Sequence, residues 1–465
     1  MSDSNPASTE IADTAIENVA SLFREDIRNS MGDSRLDYVR MLLFDAVSCA
    51  YAARESGPVV REIEAFDACD SLKARQPDLV LFGMSPGMHV EDAVVVNGTM
   101  LRYLDANDTY IGDVSPCHPS DNIAAILTAA AYWGRTFGDL LKAIVAAYGI
   151  HMYLADKLPL HGAGWHNVSG GSIAVPISAG IMLAGLTHVQ ARHALSLTCM
   201  RGLVGPSSPG EISMVKAAAH ALGAAESIRH IKMAQKGFTG PRFAIEGLLE
   251  RAGWGGLRDD VDSFDVDWTH IENVSIKPYP AAVFMHSSIE AVLALRQESL
   301  ISPNDVRYIV ITTMSFVVDN NVKDRAFPQT RETADHSLQY CAAIALIEGS
   351  LGTEQFAEGK WLRPDVMRLM GLVSVRPSPE MDTMWPKRPA NVEIGLRDGR
   401  VVSRTIDDAF GGPHRRMNWV DLVDKAKGLA GKGQEDWAES AFEATRDYNL
   451  SGSVGGYLAR LRRPE

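Results

Sequence analysis

Apolar residues recur at intervals of three and four from about residue 14 to residue 250. In SRLDYVRMLLFDAVSCAYAA, residues 34–53, the spacing of Leu36, Val39 and Leu43 is typical of one buried helix face. Four further segments show the same periodicity, at 120–133, 137–155, 172–186 and 188–200. Ser120 stands where an N-cap residue is expected for the first of these four helices. The pattern predicts an all-α bundle for this half of the chain.

The pattern changes near residue 270. A β-branched run, HIENVSIKPYP, follows the Gly- and Asp-rich stretch GWGGLRDDVDSFDVD and replaces the Ala-rich helices. Helices are then predicted at 286–299 and 335–349, and strands at 306–314, 371–377 and 391–406, the last strand with a turn at Asp398-Gly399. Helical periodicity returns after FGGPHRR, at 419–432 and 437–450.

These segments predict a mainly α protein with a large all-helical domain built from both chain ends and a smaller α+β domain inserted between them. We place residues 1–270 in the first part of the helical domain, 271–409 in the inserted domain and 410–465 in the second part of the helical domain. An insertion of this kind is tolerated where the ends of the inserted domain lie close together.

Composition narrows the possible partners. The chain has 465 residues and 46% apolar content, enough for more than one hydrophobic core. Its formal net charge of −13 and pI near 5.5 disfavour nucleic acid or an anionic membrane as a partner, because both select a basic surface. An anionic small molecule would therefore need a site that is locally basic.

The sequence also bears on compartment and cofactors. The first 25 residues carry early acidic side chains and no apolar core, and the run 170–186 is shorter than the roughly 20 apolar residues of a membrane span. We therefore expect a cytoplasmic protein. The cysteines are scattered without a C-x-x-C pair, at Cys49, Cys69, Cys117, Cys199 and Cys341. This spacing predicts neither a zinc site nor an iron–sulfur cluster, so we expect no metal ligand set and no cofactor. Assistance by a bound cation through Asp105 or Asp108 remains an open alternative.

No phosphate-binding glycine loop, nucleophile elbow or H-E-x-x-H motif occurs in the chain. Polar side chains are instead gathered in six short segments, 102–109, 117–122, 164–167, 213–229, 276–286 and 334–340. Each segment taken alone has a structural alternative. Such residues also open helices, bond their own backbone in loops, lie at the surface, end a strand or, as single histidines and tyrosines, pack in a core.

Taken in order, the six segments resemble the MmgE/PrpD family over nearly the whole chain. The stretch RYLDANDTY…CHPSDNIAAIL is similar to the R-[WY]-L-D-F-N-D-T segment and the following H-P-S-D-N of the 2-methylcitrate dehydratase branch, with Ala106 in the aromatic place. The decarboxylase and epimerase branches more often read H-x-x-D-x-D-D there, so Arg102 and Asn107 favour the dehydratase side.

Two later segments carry the resemblance further. MVKAAAHALGAAESIR…GFTGPRFAIEG is similar to the family's lysine-bearing helix and the loop after it, and IKPYPAAVFMHSSIEA resembles its K-x-[YF]-P-A segment. The acidic residue of the dehydratase pattern P-A-E-F-H is absent here, and His286 stands two positions further along. Phe316 and Val317 lie where some relatives carry a tyrosine after the VITT strand.

The resemblance implies that the inserted domain is a lid over a cleft and that the protein is a homodimer. It also implies a lyase that dehydrates 2-methylcitrate or a related hydroxy-tricarboxylate without a cofactor. Two alternatives remain open: decarboxylation or epimerisation of another di- or tricarboxylate, and a helical binding protein without catalytic activity.

Removing a proton beside a carboxylate and expelling hydroxide requires a base, an acid and cationic groups that hold carboxylates. We hypothesise that Asp105 and His118 form the acid–base group, the carboxylate either fixing the imidazole tautomer or itself taking a proton, and that Lys277 stabilises the developing enediolate-like charge. Which of the three is base and which is acid depends on burial and stays open at this point. Arg102, Lys216 and His166 are expected to hold substrate carboxylates. The remaining residues expected to contact substrate are Asn107, Asp108, Thr109, His286 and Tyr340.

Overall fold

The structure is a computed structural model that describes residues 15–16, 18, 32–69, 78–85, 87–160, 165, 169–200, 212–257, 264–320 and 323–462. Eight helices of the amino-terminal part are α1 (Asp33–Ala53), α2 (Gly57–Cys69), α3 (Val90–Arg102), α4 (Asp121–Tyr132), α5 (Phe137–Lys157), α6 (His188–Cys199), α7 (Val215–Gln235) and α8 (Ala244–Arg251). The hairpin strands β1 (Tyr110–Ile111) and β2 (Pro116–Cys117) lie between α3 and α4. These two short strands are absent from the sequence-based prediction.

The helix predicted at 172–186 has a different form in the structure. Two π-helical segments, Ser169–Ala174 and Ser178–Leu183, flank a short α-helical turn, Val175–Ile177. Pro176 lies in that turn and has no backbone N–H to donate. A regular hydrogen-bond ladder is therefore interrupted there, and wider turns replace it.

The carboxyl-terminal part contains both helices and strands. Its longer helices are α9 (His286–Ser299), α10 (Leu338–Glu348), α11 (Pro364–Met370), α12 (Trp419–Ala430), α13 (Glu435–Arg446) and α14 (Val454–Arg460). Short α-helical segments occupy Ser315–Asn320, Lys323–Ala326, Arg331–Ala334 and Pro379–Asp382. Its strands are β3 (Val306–Thr313), β4 (Val373–Pro377), β5 (Ala390–Leu396) and β6 (Val401–Ile406). The predicted helices at 286–299, 335–349, 419–432 and 437–450 are thus confirmed within a few residues.

The four strands form one sheet in the order β4-β3-β5-β6, parallel between β3 and β4 and antiparallel elsewhere. In β3 the alternating residues Ile309 and Ile311 are buried in the core of this unit, and so is Val306, which precedes a register shift in the pairing with β5. The predicted turn between the last two strands is confirmed, and Gly399 has the positive φ of +93° that such a turn favours.

Two large hydrophobic cores divide the described residues. One joins the amino-terminal helices to α12–α14, and in it the Trp437 ring stacks on Tyr51 with centroids 3.5 Å apart. The other surrounds the four-stranded sheet and contains residues between Ala281 and Leu396. The fold is therefore mainly α with a smaller α+β part, as predicted. The domain limits at 270 and 409 remain predictions. Residue 409 lies between the two cores, whereas Ile271, Val274 and Ile276, beyond the limit at 270, still pack in the first core.

The chain passes between the two cores twice, and the two crossings contact each other. Ile276 N–H donates to the Gly411 carbonyl at 2.9 Å, and Ser275 pairs through its backbone with Thr109. Gly411 has φ +86°, and a Cβ there would lie 2.0 Å from the Ile276 oxygen, so the contact requires glycine. The β-branched run before Lys277 thus forms a 3₁₀ segment, Trp268–Asn273, and a single bridge rather than a strand. This arrangement places Lys277 beside the loop that follows α3.

Among the described residues, no helix is both long and apolar enough to cross a membrane.

Candidate active site

The loop 103–109 leaves the end of α3 in a turn that is fixed by buried side chains. Asp105 has φ +53°, a left-handed conformation that aspartate tolerates better than most residues. Lys277 Nζ donates to the Asp105 carbonyl at 3.0 Å, and Lys425 Nζ on α12 donates to the next carbonyl, that of Ala106, at 2.8 Å. Two ammonium groups from distant parts of the chain therefore hold consecutive peptide groups of this turn.

Three cations surround the Asp105 carboxylate. Arg102 Nη1 donates to Oδ1, Lys277 Nζ lies 3.2 Å from the same oxygen, and Lys216 Nζ lies 3.7 Å away. Burial alone would raise the pKa of Asp105, but Lys216, Lys277 and Arg102 hold it well below its usual range. The carboxylate is therefore firmly ionised, which fits an electrostatic and positioning role better than that of a base.

The lysines themselves are altered by this environment. Lys277 is completely buried, and burial lowers its pKa to about 8, with the positive charges of Arg102 and Lys216 acting in the same direction and Asp105 opposing them. Burial also lowers the pKa of Lys216, with Asp105 and Asp335 opposing it. A lysine with a pKa near 8 remains protonated at neutral pH and is poised to stabilise or supply charge.

A second network ties the loop to the start of α4. Asn107 Nδ2 donates to Ser120 Oγ at 2.9 Å and to Asp121 Oδ1 at 3.0 Å, and Arg102 Nε lies 3.6 Å from the same Asp121 oxygen. Ser120 lies at the predicted N-cap position of α4, but it has helical φ and ψ and its side chain makes no capping hydrogen bond. Its hydroxyl accepts from Asn107 instead. Burial raises the pKa of Asp121 to about 7, which leaves it partly protonated near neutrality.

His118 is held as a neutral imidazole. Its Nδ1 lies 2.8 Å from the Asp108 carbonyl oxygen and 3.1 Å from Thr109 Oγ1. A carbonyl oxygen only accepts hydrogen bonds, so we assign the proton to Nδ1 and the lone pair to Nε2. Burial, Arg102 and Lys277 lower the pKa of His118 well below the ordinary histidine range. This tautomer and charge suit a general base.

The Asp108 side chain is itself held by two hydrogen bonds next to His118. Its Oδ1 accepts from the Ser120 N–H at 3.0 Å, and its Oδ2 accepts from the Tyr148 hydroxyl at 2.7 Å. Burial raises the pKa of Asp108 to about 6, although both hydrogen bonds oppose the shift. The side chain thus fixes the backbone whose carbonyl orients His118.

The inserted unit contributes three polar residues that the sequence reasoning did not select. Asp335 Oδ1 lies 3.4 Å from Lys216 Nζ and contacts His336 Nδ1, while Arg331 Nη1 donates to Asp335 Oδ2 at 3.0 Å. Arg331 Nη1 also donates to the Tyr103 carbonyl at 3.0 Å, which attaches the inserted unit to the loop. The polar segment 334–340 is the available signal for Asp335 and His336, but the sequence favours only Tyr340 within it.

We call the buried group formed by Arg102, Asp105, Lys216, Lys277, Arg331, Asp335 and His336 the Asp105 cluster. The other predicted residues lie at its edge or outside it. Tyr340 is buried in the core of the inserted unit, and its hydroxyl donates to the Gln355 carbonyl. His286 donates from Nε2 to the Ala281 carbonyl at 3.0 Å, and burial lowers its pKa to about 3, with Lys277 adding to the shift. The structure therefore does not bring these two side chains into hydrogen bonds with the Asp105 cluster. His166 lies outside the described residues.

The cluster is cationic overall. Arg102, Lys216, Lys277 and Arg331 face two firmly ionised carboxylates, Asp105 and Asp335. Asp105, Asp335 and His336 have ligand-type atoms within 4.8 Å of one another, but the two lysines already contact this group. A polyanion would find surplus positive charge here despite the net charge of −13.

Replacing Lys425 tests whether catalysis requires the turn at Asp105 to be held in its observed conformation. Lys425 forms a buried ion pair with Asp45 on α1 as well as its bond to Ala106. Removing one buried charge alone would leave the other unpaired, so we choose the double variant Asp45→Asn/Lys425→Met. We expect kcat to fall by up to roughly 10²-fold, with a smaller change in KM, because the turn relaxes while the binding cations remain.

Lys427→Met is the matched control, since Lys427 lies on the same helix and pairs at the surface with Glu439. Steady-state kinetics of both variants, with circular dichroism as the folding check, make the comparison. Equal kcat in the double variant and the control would show that the turn does not need this support.

The fold and the cluster define a class of protein: a large helical unit with an inserted α+β unit and a buried, cationic cluster of titratable side chains where they meet. A profile of the MmgE/PrpD N-terminal domain matches residues 20–256, and a profile of the MmgE/PrpD C-terminal domain matches residues 279–446. The chain belongs to the MmgE/PrpD family.

Curated relatives of this chain carry two activities in their names. A cis-aconitate decarboxylase of Mus musculus is 22% identical over 73% of this chain and 72% of its own length. A 2-methylcitrate dehydratase of Cupriavidus necator is 25% identical over 70% of this chain and 72% of its own length. The 2-methylcitrate dehydratase of Escherichia coli K12 is 25% identical over 71% and 73%. These relatives support an enzyme, and they do not separate the two reactions.

Proposed function

We propose that this protein is a hydro-lyase that dehydrates 2-methylcitrate or a closely related hydroxy-tricarboxylate without a cofactor. The cationic cluster around Asp105 carries this proposal. It supplies positive charge for several carboxylates, a neutral histidine and a lysine whose pKa is near 8 within one buried network. Dehydration of a tricarboxylate needs these three elements together.

In the proposed reaction, Arg102 and Lys216 bind substrate carboxylates, Arg102 through its planar guanidinium and Lys216 as a point charge. His118 Nε2 removes the proton from the carbon beside a carboxylate. The electron pair is first held on the carboxylate as an enediolate, in a step that can reverse. It then forms the C=C bond as hydroxide leaves the neighbouring carbon and is protonated to water. Lys277 stabilises the enediolate-like charge that develops on the carboxylate.

Decarboxylation of cis-aconitate is the second candidate, and the relative of that name supports it. Both reactions use cationic groups and a proton-transfer residue, but they differ in what leaves. Purified protein mixed separately with 2-methylcitrate, citrate and cis-aconitate distinguishes them when products are identified by mass. Loss of water from 2-methylcitrate supports the dehydratase. Loss of carbon dioxide from cis-aconitate, with 2-methylcitrate unchanged, would instead establish the decarboxylase.

Two further parts of the proposal concern the whole molecule. We propose a homodimer, as the family resemblance implies, and a cytoplasmic location. Light scattering of the purified protein gives the mass in solution, and a mass of one chain would contradict the dimer. Fractionation of the source cells tests the location.

The Lys277 ammonium predicts the alkaline side of the pH–rate profile. As pH rises through about 8, Lys277 loses its proton and its stabilising charge, so kcat should fall. In Lys216→Met the fall should move to higher pH, because a neighbouring positive charge that lowers the Lys277 pKa is gone. Steady-state rates across neutral and alkaline pH test both statements. If the fall disappears in Lys216→Met, Lys216 rather than Lys277 is the group that titrates.

A further inference from the structure

Asp335 and His336 of the inserted unit form a carboxylate–imidazole pair to which the reaction described above gives no role. The His336 Nδ1 and Asp335 Oδ1 atoms are in direct contact. Asp335 is fully buried, and Arg331 holds its second oxygen at 3.0 Å. The Ala282 N–H donates to the Asp335 carbonyl at 2.9 Å, so the backbone is held as well. Asp335 is thereby fixed from three directions.

The contact sets the tautomer of His336. A carboxylate accepts hydrogen bonds, so Nδ1 carries the proton that faces Asp335, and Nε2 points away from the pair. This is the logic by which a carboxylate orients a histidine and stabilises its doubly protonated form. Lys216 Nζ lies 3.4 Å from the same Nδ1, which links the pair to the Asp105 cluster.

His336 also lies nearer to solvent than the charged groups around it. Its side chain is 19% exposed, compared with 13% for Lys216, while Asp105, Asp335 and Lys277 are buried. A ligand that reaches the cluster from solvent therefore meets His336 and Lys216 before the deeper groups.

We propose that His336 is a further catalytic residue, which protonates the departing hydroxide, and that Asp335 is its positioning residue. This inference rests on the dehydration proposed above. The C–H proton passes to His118 Nε2, and the C–H electron pair is held as the enediolate that Lys277 stabilises, from which the proton can return. The pair then forms the C=C bond as the C–O bond breaks. The leaving oxygen takes the Nε2 proton of the His336 imidazolium and departs as water. His336 then returns to the neutral form with its Nδ1 proton still facing Asp335.

His336 fits this step better than the neighbouring lysines. Lys277 is engaged with both the carbonyl and the carboxylate of Asp105, and its complete burial suits charge stabilisation rather than proton exchange with solvent. Lys216 is held between the carboxylates of Asp105 and Asp335. In the free protein, burial and Lys216 lower the pKa of His336, and a substrate carboxylate bound to Lys216 offsets that repulsion.

The test separates removal of the carbon-bound proton from loss of water. His336→Gln and, independently, Asp335→Asn are incubated with 2-methylcitrate in D₂O. Water loss is followed by the absorbance of the product alkene, and deuterium in recovered substrate by mass. We expect water loss to fall by roughly 10²-fold in both variants, while deuterium exchange stays within a few-fold of the unmodified protein, because His118 still removes the proton.

His270→Gln is the matched control. His270 is 44% exposed and faces Asp267 at 3.5 Å, an aspartate–histidine pair that lies outside the cluster, so both rates should be unchanged. Unchanged water loss in a folded His336→Gln protein would overturn the proposal. Equal loss of exchange and water loss would overturn it too, since it would place His336 at the first proton transfer. If the unmodified protein neither exchanges nor dehydrates 2-methylcitrate, the proposed function fails and this inference fails with it.

Discussion

Replacing Lys277 with methionine is expected to lower kcat by roughly 10²–10³-fold, the range seen when a preorganised donor to a developing oxyanion is removed. Lys277 is completely buried, so solvent water does not take the place of its ammonium group in stabilising the developing oxyanion. Arg102 and Lys216 remain close to Asp105 and keep that carboxylate paired. The variant should therefore fold, and KM should change much less than kcat.

Steady-state kinetics with 2-methylcitrate measure this effect, and a thermal melt reports folding. Lys232→Met is a suitable control because Lys232 is a partly exposed lysine paired with Glu91 on the helical unit. A folded Lys277→Met protein with unchanged kcat would remove Lys277 from the chemistry. A rise in KM alone would make it a binding residue only.

Replacing His118 with alanine is the second large effect, with kcat expected to fall by roughly 10²-fold or more. His118 is the neutral histidine on the helical side, oriented by the Asp108 carbonyl. Its loss should also stop deuterium exchange into recovered 2-methylcitrate, because no other group then removes the carbon-bound proton. The double readout separates this residue from His336, whose replacement should spare the exchange.

His270→Gln again serves as the histidine control, since it lies outside the cluster. Normal turnover in a correctly folded His118→Ala protein would exclude His118 from proton transfer. Normal exchange with slow water loss would assign it to the second step instead.

Much of the helical architecture could be read from periodicity, since a buried helix face repeats every three or four residues whatever lies opposite it. The sequence-based predictions fail at positions where a tertiary contact or a single residue overrides the local sequence preference. Ser120 has the identity of an N-cap, but Asn107 occupies its hydroxyl. Pro176 changes the form of a helix that composition alone would extend.

The residues of the candidate site likewise form two groups: those that a sequence motif marks and those that only the fold brings together. Asp105, His118 and Lys277 stand in ordered motifs, so a resemblance could select them. Asp335 is also in a polar segment, yet the sequence does not show that it meets Lys216, 119 residues away along the chain. The sequence favours Tyr340 in that segment, but the Tyr340 hydroxyl donates to a carbonyl in the core of the inserted unit.

Lys425 shows a limit of a different kind. A lysine in an amphipathic helix is ordinarily at the surface. Here it reaches inward to Asp45 and to the Ala106 carbonyl, and the small side chain of Ala106 packs with Cys49, Leu104 and Leu429. No local pattern marks this contact, because it depends on how both chain ends pack against the loop 103–109.

The net charge of the whole chain is negative, whereas the charge of the buried cluster is positive. A net charge of −13 describes the whole surface, whereas the buried cluster gathers four cations from α3, α7, the first crossing and the inserted unit. Such a local surplus is what a tricarboxylate needs, and it arises only when these distant segments fold together.

The proposed dehydration is tested most directly by the ultraviolet absorbance of the conjugated alkene after purified protein is mixed with 2-methylcitrate in the presence of a metal chelator. We expect the absorbance to rise, the product to have lost one water molecule, and added metal not to increase the rate. An absorbance that stays flat with 2-methylcitrate, while cis-aconitate loses carbon dioxide under the same conditions, would contradict it.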